Sequence, residues 1–149
     1  MPLATVLHIA CSYLFYSIMM IYAQYISHDL PEPQINTLYP GVAVFVVGVA
    51  GNFYHHYLLS RLRAAGGGGD KVYKIPKDGL FVLITCPHYL FEIITFFGFA
   101  MIGQTVFTFA LAVGIMSFLV GRSCATRKWY VSKFEEFPVR IKALVPYVL

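Results

Sequence analysis

Charge is scarce in this chain and unevenly placed. Lys, Arg, Asp and Glu make up 12% of its 149 residues, well under the ~25% usual in soluble domains. None of the eleven Lys and Arg residues precedes Arg61. The three cysteines, Cys11, Cys86 and Cys124, show no paired spacing, so neither a disulfide framework nor a zinc site is indicated. There is no internal repeat or heptad pattern, no Ser/His/Asp nucleophile arrangement, no Rossmann fingerprint and no Walker phosphate loop. The net charge of +4 does not argue for nucleic acid, because the cations fall in two groups, Arg61 to Lys77 and Arg122 to Lys142. That is the distribution of membrane-protein loops on the cytosolic side. Anionic lipid headgroups or an anionic cofactor are the expected partners.

What the chain does hold is apolar surface. Hydrophobic residues reach 58% and the mean hydropathy is +0.68, more than a soluble fold of this size hides. Four apolar segments can be drawn: Ala4 to Ile26, Tyr39 to Leu59, Cys86 to Gly103 and Gln104 to Gly121. A bilayer core needs roughly 17–25 helical residues, so the first two fit easily and the last two form a tight hairpin broken at Gly103-Gln104. The first has no positively charged region before it and is read as a retained span, not a signal peptide. The loop after it carries Asp29 and Glu32 and no cation, which suits the lumenal side. Span parity then places both basic groups and the N-terminus in the cytosol. Gly66 to Gly69 read as a flexible linker, and the polar, aromatic stretch after Gly121 as an interfacial helix ending before Pro138. The fold class expected is all-α: a polytopic membrane bundle of about four transmembrane helices plus an interfacial C-terminal helix.

Several polar residues interrupt the apolar segments. Glu92 lies between Phe91 and Ile93; a carboxylate at membrane depth costs at least ~2.5 kcal/mol, so it faces protein or trapped water, unless it is a helix-end residue snorkelling outward. His88 is four residues earlier and projects from the same face, which makes a cavity-lining His–Glu pair. Asn52, His56 and Arg63 share a face of the second segment, a polar stripe fitting either a long anionic ligand or ordinary interhelical hydrogen bonding. His55 points about 100° away from His56, so the two do not chelate one metal, and metal-dependent chemistry is disfavoured. Arg122 ends the fourth segment with Tyr130 about two turns later. With Arg127 and Lys128 they form either an interface belt or a cluster that closes around phosphates.

These residues stand in strings that resemble a family. YKIPKDGLF (Tyr73 to Phe81), CPHYLFE (Cys86 to Glu92), RKWYVSKFEEFP (Arg127 to Pro138) and KALVPYVL (Lys142 to Leu149) resemble the C-terminal region of the steroid 5α-reductases, and GNFYHHYLLSRLR (Gly51 to Arg63) fits the helix before it. The resemblance covers roughly residues 40–149, with the plant branch related to very-long-chain enoyl-CoA reductases the most similar. It divides the chain into an N-terminal helix and lumenal loop (1–38) and a reductase C-terminal-type domain (39–149). It implies NADPH-dependent reduction of a double bond conjugated to a carbonyl, in the endoplasmic reticulum membrane, on an enoyl-CoA or steroid-like lipid. It also implies that Asn52, His56, Arg63, Tyr73, His88, Arg122 and Tyr130 line the cofactor site and that Glu92 lies beside the nicotinamide or substrate as the catalytic residue.

The departures are specific. His56 stands where steroid-reducing members often have aspartate, His88 where they often have asparagine, Thr126 where they often have histidine, and Asp78 and Phe91 where they often have glycine. Family members also carry further N-terminal helices holding the tyrosine and acidic residues that polarise the substrate carbonyl. The expectation is therefore an N-terminally truncated chain or a half-protein with no counterpart of that electrophile. Two other readings stand beside the reductase. One is a membrane scaffold that kept the fold and lost the chemistry; the other is an S-adenosylmethionine-dependent methyltransferase of the isoprenylcysteine type.

Overall fold

The computed structural model describes residues 3–31, 33–64, 74–146 and 148. Tyr73 and the four-glycine run Gly66–Gly69 lie outside them. The described chain is all-helical: α1 (Leu3–Ile26), α2 (Leu38–Ala64), α3 (Pro87–Gly103) and α4 (Val106–Lys133), with one 3-10 turn at Gly79–Val82. Three helices, α1, α2 and α4, are long and apolar enough to cross a membrane, while α3 is shorter at 17 residues. Large side chains such as Leu14, Phe53 and Phe118 face outward, as lipid-facing residues do. The protein is a polytopic membrane bundle.

The tightest joint is between α2 and α3, followed by α3 with α4; α1 touches the rest only sparsely. In lipid no hydrophobic force draws helices together, so close backbone approach supplies the attraction, and small residues permit it. A Cβ added to Gly48 of α2 would lie 2.6 Å from the Thr95 nitrogen of α3. One added to Gly98 of α3 would lie 2.5 Å from the Phe45 nitrogen of α2. Neither helix surface has room for a methyl group there.

The α3–α4 hairpin turns at the expected break. Gln104 takes a left-handed conformation (φ 51°) that stops α3, its N–H donating to the Ala100 carbonyl at 2.9 Å. Thr105 then caps α4, its hydroxyl accepting the Thr108 N–H at 3.2 Å while the Thr108 hydroxyl reaches back. Ile93, Phe96 and Ala100 of α3 pack against Ala112, Ile115 and Leu119 of α4, with Leu144 beneath. At this end of the bundle the Gln24 amide of α1 donates to the Gly103 carbonyl, and the Thr37 hydroxyl to the Met101 carbonyl at 2.7 Å.

The expected interfacial helix is not a separate element. Residues 122–133 continue α4 without a break. A lone glycine costs only ~1 kcal/mol relative to Ala inside a helix, and Gly121, with nothing within 4 Å, meets no packing that would end it. The helix stops at Phe134, which is extended (φ −126°, ψ 111°). The chain then folds back as a strap. Thr85 and Cys86 donate their backbone N–H groups to the carbonyls of Lys142 (2.8 Å) and Ala143 (3.1 Å), and Lys142 donates to Leu83 (3.2 Å). The Arg127 guanidinium clips the strap through the carbonyls of Ile141 (2.8 Å) and Val139 (3.1 Å). Ile84, Cys86, Ala143 and Leu144 are buried in the seam.

Gly48→Ala is expected to destabilise the bundle by about 1–3 kcal/mol through overpacking, whereas Gly114→Ala on α4, with open space around it, is expected to gain up to ~1 kcal/mol from helix propensity. Thermal unfolding in one detergent checks the pair, and equal shifts for both variants would refute the close α2–α3 approach.

Candidate functional site

The antiparallel connections bring the C-terminal end of α2, the N-terminal end of α3 and the C-terminal part of α4 to one end of the bundle. Pro87 opens α3, a position where its missing N–H costs nothing. One residue on, His88 lies against α2: its ring centroid is 5.1 Å from His56, and the Asn52 amide donates to the His88 carbonyl at 3.0 Å. Its other ring neighbours are Tyr89 at 4.3 Å and Phe81 at 6.2 Å. The Nδ1 atom of His88 is buried and has no hydrogen-bond partner among the described residues. Arg63, at the end of α2, lies close enough for its charge to act on His56, His88 and Tyr130.

From α4, Arg122, Thr126 and Tyr130 recur every four residues and so present one face. The Thr126 hydroxyl is within hydrogen-bonding reach of the Cys86 thiol, and the Arg122 charge acts on that thiol too. Burial nevertheless dominates and pushes Cys86 up to about 12, so it stays a neutral thiol and not a nucleophile. Arg63 and Arg122 are exposed, and neither makes a hydrogen bond or ion pair among the described residues. The structure therefore gathers Asn52, His56, Arg63, His88, Arg122 and Tyr130 at one end, while Tyr73 lies outside the described residues.

His55, set aside in the sequence as a metal ligand, is a staple. It is buried, its Nδ1–H donates to the Gly51 carbonyl at 2.7 Å, and its Nε2 accepts the Leu80 N–H at 3.4 Å. Those two partners define the tautomer and pin the 3-10 turn to α2. Phe91 stacks on the His55 ring at 5.2 Å and 19° and covers Gly51.

Deeper in the bundle, a cavity of ≈ 260 Å³ lies among α1, α2 and α3. Glu92 and Asn52 line it, with Tyr13 and Tyr16 of α1 and Phe96 and Phe99 of α3. Glu92 thus faces a cavity, as expected from the cost of burying its charge, but its partner is not His88. The Tyr13 hydroxyl donates to the Glu92 carboxylate, and the Tyr13 ring stacks on Phe96 at 6.1 Å and 16°. Sequence reasoning missed Tyr13. A tyrosine in an apolar span is common, and nothing local marks one whose partner lies 79 residues away. Among the described residues no group of three or more His, Cys, Asp or Glu is placed to hold a metal ion.

Comparison with known proteins agrees with these motifs. The family described as 3-oxo-5-alpha-steroid 4-dehydrogenase matches residues 1–149, taking in α1 as well as the region that carries the motifs. Steroid 5-alpha-reductase DET2 of Gossypium hirsutum is 34% identical over 132 residues, covering 85% of this chain and 50% of that protein. The 3-oxo-5-alpha-steroid 4-dehydrogenase 1 of Bos taurus is 32% identical over 128 residues, covering 86% and 48%. The human protein of that name is 34% identical over 108 residues, covering 72% and 40%. The chain spans half or less of the length of these curated relatives. On the strength of the whole-chain match, this chain belongs to the steroid 5α-reductase (3-oxo-5-alpha-steroid 4-dehydrogenase) family.

Proposed function

We propose that this chain forms the cofactor-binding part of a membrane reductase that uses NADPH to saturate a carbon–carbon double bond conjugated to a carbonyl in a lipid, a 3-oxo-Δ4 steroid or an enoyl-CoA. The observation that carries the reading is the convergence, at a single end of the bundle, of two guanidiniums and one buried ring nitrogen that have no hydrogen-bond partner among the described residues. Arg63 and Arg122 hold the phosphates, for which a planar fork of donors is suited. The buried Nδ1 of His88 fits a ligand that brings a hydrogen-bonding group, since such an atom left unpaired costs about 1–3 kcal/mol. Asn52, with amide capacity beyond its bond to His88, joins the basic end to the cavity. His56, Tyr130 and Tyr73 complete the wall, the last by resemblance alone.

Bound there, a reduced nicotinamide supplies the hydride for the β-carbon of the conjugated system. The chain itself binds, orients and keeps water out, and Glu92 provides the polar group at the reacting end. The relatives named for steroids favour the steroid substrate, whereas the histidines at 56 and 88 fit a non-steroid branch. The reading places the protein in the endoplasmic reticulum membrane, its basic loops and C-terminus cytosolic.

Titration of the purified full chain with NADPH and with S-adenosylmethionine checks the cofactor. Saturable NADPH binding is expected. Binding of the methyl donor instead would point to the methyltransferase, and binding of neither to a scaffold. Arg63→Ala and Arg122→Ala are each expected to raise the NADPH Kd by about 10–100-fold, the loss of one charge-assisted contact, with the wild-type Kd itself rising with salt. Calorimetry measures both, and unchanged affinity in the two variants would reject this location for the phosphates.

A further inference from the structure

Arg127 belongs by sequence to the same basic group as Arg122 and Lys128, and the structure gives it a different task. Its side chain is half-buried, and two of its donors are spent on the strap. Nε donates to the Ile141 carbonyl at 2.8 Å and Nη2 to the Val139 carbonyl at 3.1 Å. A planar guanidinium holds two acceptors at once, so the fork sets both the distance and the tilt of the strap against α4. Between Phe134 and Ile141 the strap's own backbone bonds are short turns. The Phe137 N–H donates to the Phe134 carbonyl (3.1 Å) and the Ile141 N–H to the Pro138 carbonyl (3.0 Å). Such turns shape the segment without attaching it to the bundle. The Arg127 fork ties it to α4, and the bonds of Lys142 and Ala143 next to it tie it to the start of α3.

What the fork steadies is a ring. Tyr130 lies three residues after Arg127 and is its neighbour on the surface of α4. From the strap, the buried Phe137 meets the Tyr130 ring at 5.4 Å and 31°, while Phe134 stacks on it at 5.8 Å and 23°. From α2, the charge of Arg63 reaches it. The gap that Tyr130 shares with Phe137, Ile141, Phe81 and Thr85 is ≈ 10 Å³, barely the room for one water. The phenol has no second place to turn there while the strap is clamped.

We propose that Arg127 is a positioning residue: by clamping the strap it holds Phe137 against Tyr130 and so presets that phenol in the wall that receives NADPH. The identity of the ligand rests on the cofactor reading above. Arg127 makes no contact of its own with the cofactor. Without the fork, Tyr130 and its strap neighbours are ordered only when the cofactor binds, and affinity falls by the rotamer freedom then lost.

NADPH titration of the full chain in detergent, with the emission of Trp129 recorded on the same samples, tests the proposal. Trp129 is the chain's single tryptophan, its ring 5.1 Å from Tyr130 and 6.3 Å from Phe134. Arg127→Met keeps an apolar stem and is expected to shift that emission and to raise the NADPH Kd by about three- to tenfold. On a Tyr130→Leu background it is expected to add nothing, because the two act as one unit. The salt dependence of the Kd is expected to stay that of wild type in Arg127→Met and to flatten in Arg63→Ala. Phe137→Leu, which leaves the fork in place, is expected to raise the Kd to the same extent. Unchanged affinity in Arg127→Met or in Phe137→Leu, or effects of Arg127→Met and Tyr130→Leu that simply add, would overturn the proposal. A flattened salt slope in Arg127→Met would do so too, by making Arg127 a phosphate ligand. Alkylation separates positioning from lost structure: Cys86, fully buried in the seam, is expected to stay protected in Arg127→Met, and labelling as fast as that of the exposed Cys11 counts against the proposal. If wild type does not bind NADPH, the cofactor reading fails, and Trp129 still decides the clamp: an Arg127→Met spectrum identical to that of wild type refutes it.

Discussion

Two helix backbones pressed against each other set the position of everything else. Gly48 lies on the Thr95 backbone and Gly98 on that of Phe45, so α2 and α3 approach more closely than side chains would allow. Dispersion and backbone proximity are the forces available for helix association in a bilayer, and they fall off steeply with distance. That joint brings Asn52 within 3.0 Å of the His88 carbonyl and the His56 ring within 5.1 Å of His88. Widening it by the thickness of a methyl group would part the polar residues of α2 from those of α3.

Around the joint, aromatic and histidine rings form one packing unit. Phe91, His55 and Phe81 stack or meet edge-on across α2, α3 and the 3-10 turn, while His88 lies between His56 and Tyr89. The ring of Phe91 fills the space over Gly51. Bulk at position 91 is thus matched by a glycine opposite it.

The C-terminal strap contributes in another way. Its hydrogen bonds to residues 83–86 satisfy backbone groups just before α3, which would be costly to leave unpaired in a buried seam. Arg127 spends its guanidinium on this clip, whereas Arg63 and Arg122 are exposed and make no hydrogen bond or ion pair among the described residues. Only the geometry separates the clipped guanidinium of Arg127 from the exposed ones of Arg63 and Arg122. Cys86, sealed under the strap, is protected by the same burial that keeps its thiol protonated.

Composition and periodicity alone determined that the chain is a helical membrane bundle, where α1, α2 and α3 run, and that the hairpin breaks at Gly103-Gln104. These features depend on local hydrophobicity and on backbone preferences of neighbouring residues. The motif strings likewise marked the family and the polar stripe of α2, because both are properties of short windows. The unbroken α4, the strap and the bond from Tyr13 to Glu92 were decided by tertiary structure. Gly121 weakens a helix without ending it; Thr85 finds Lys142, 57 residues away, through backbone atoms that every residue shares. Tyr13 meets Glu92 only once α1 has been laid against α3, and a contact across 79 residues leaves no trace in either local window.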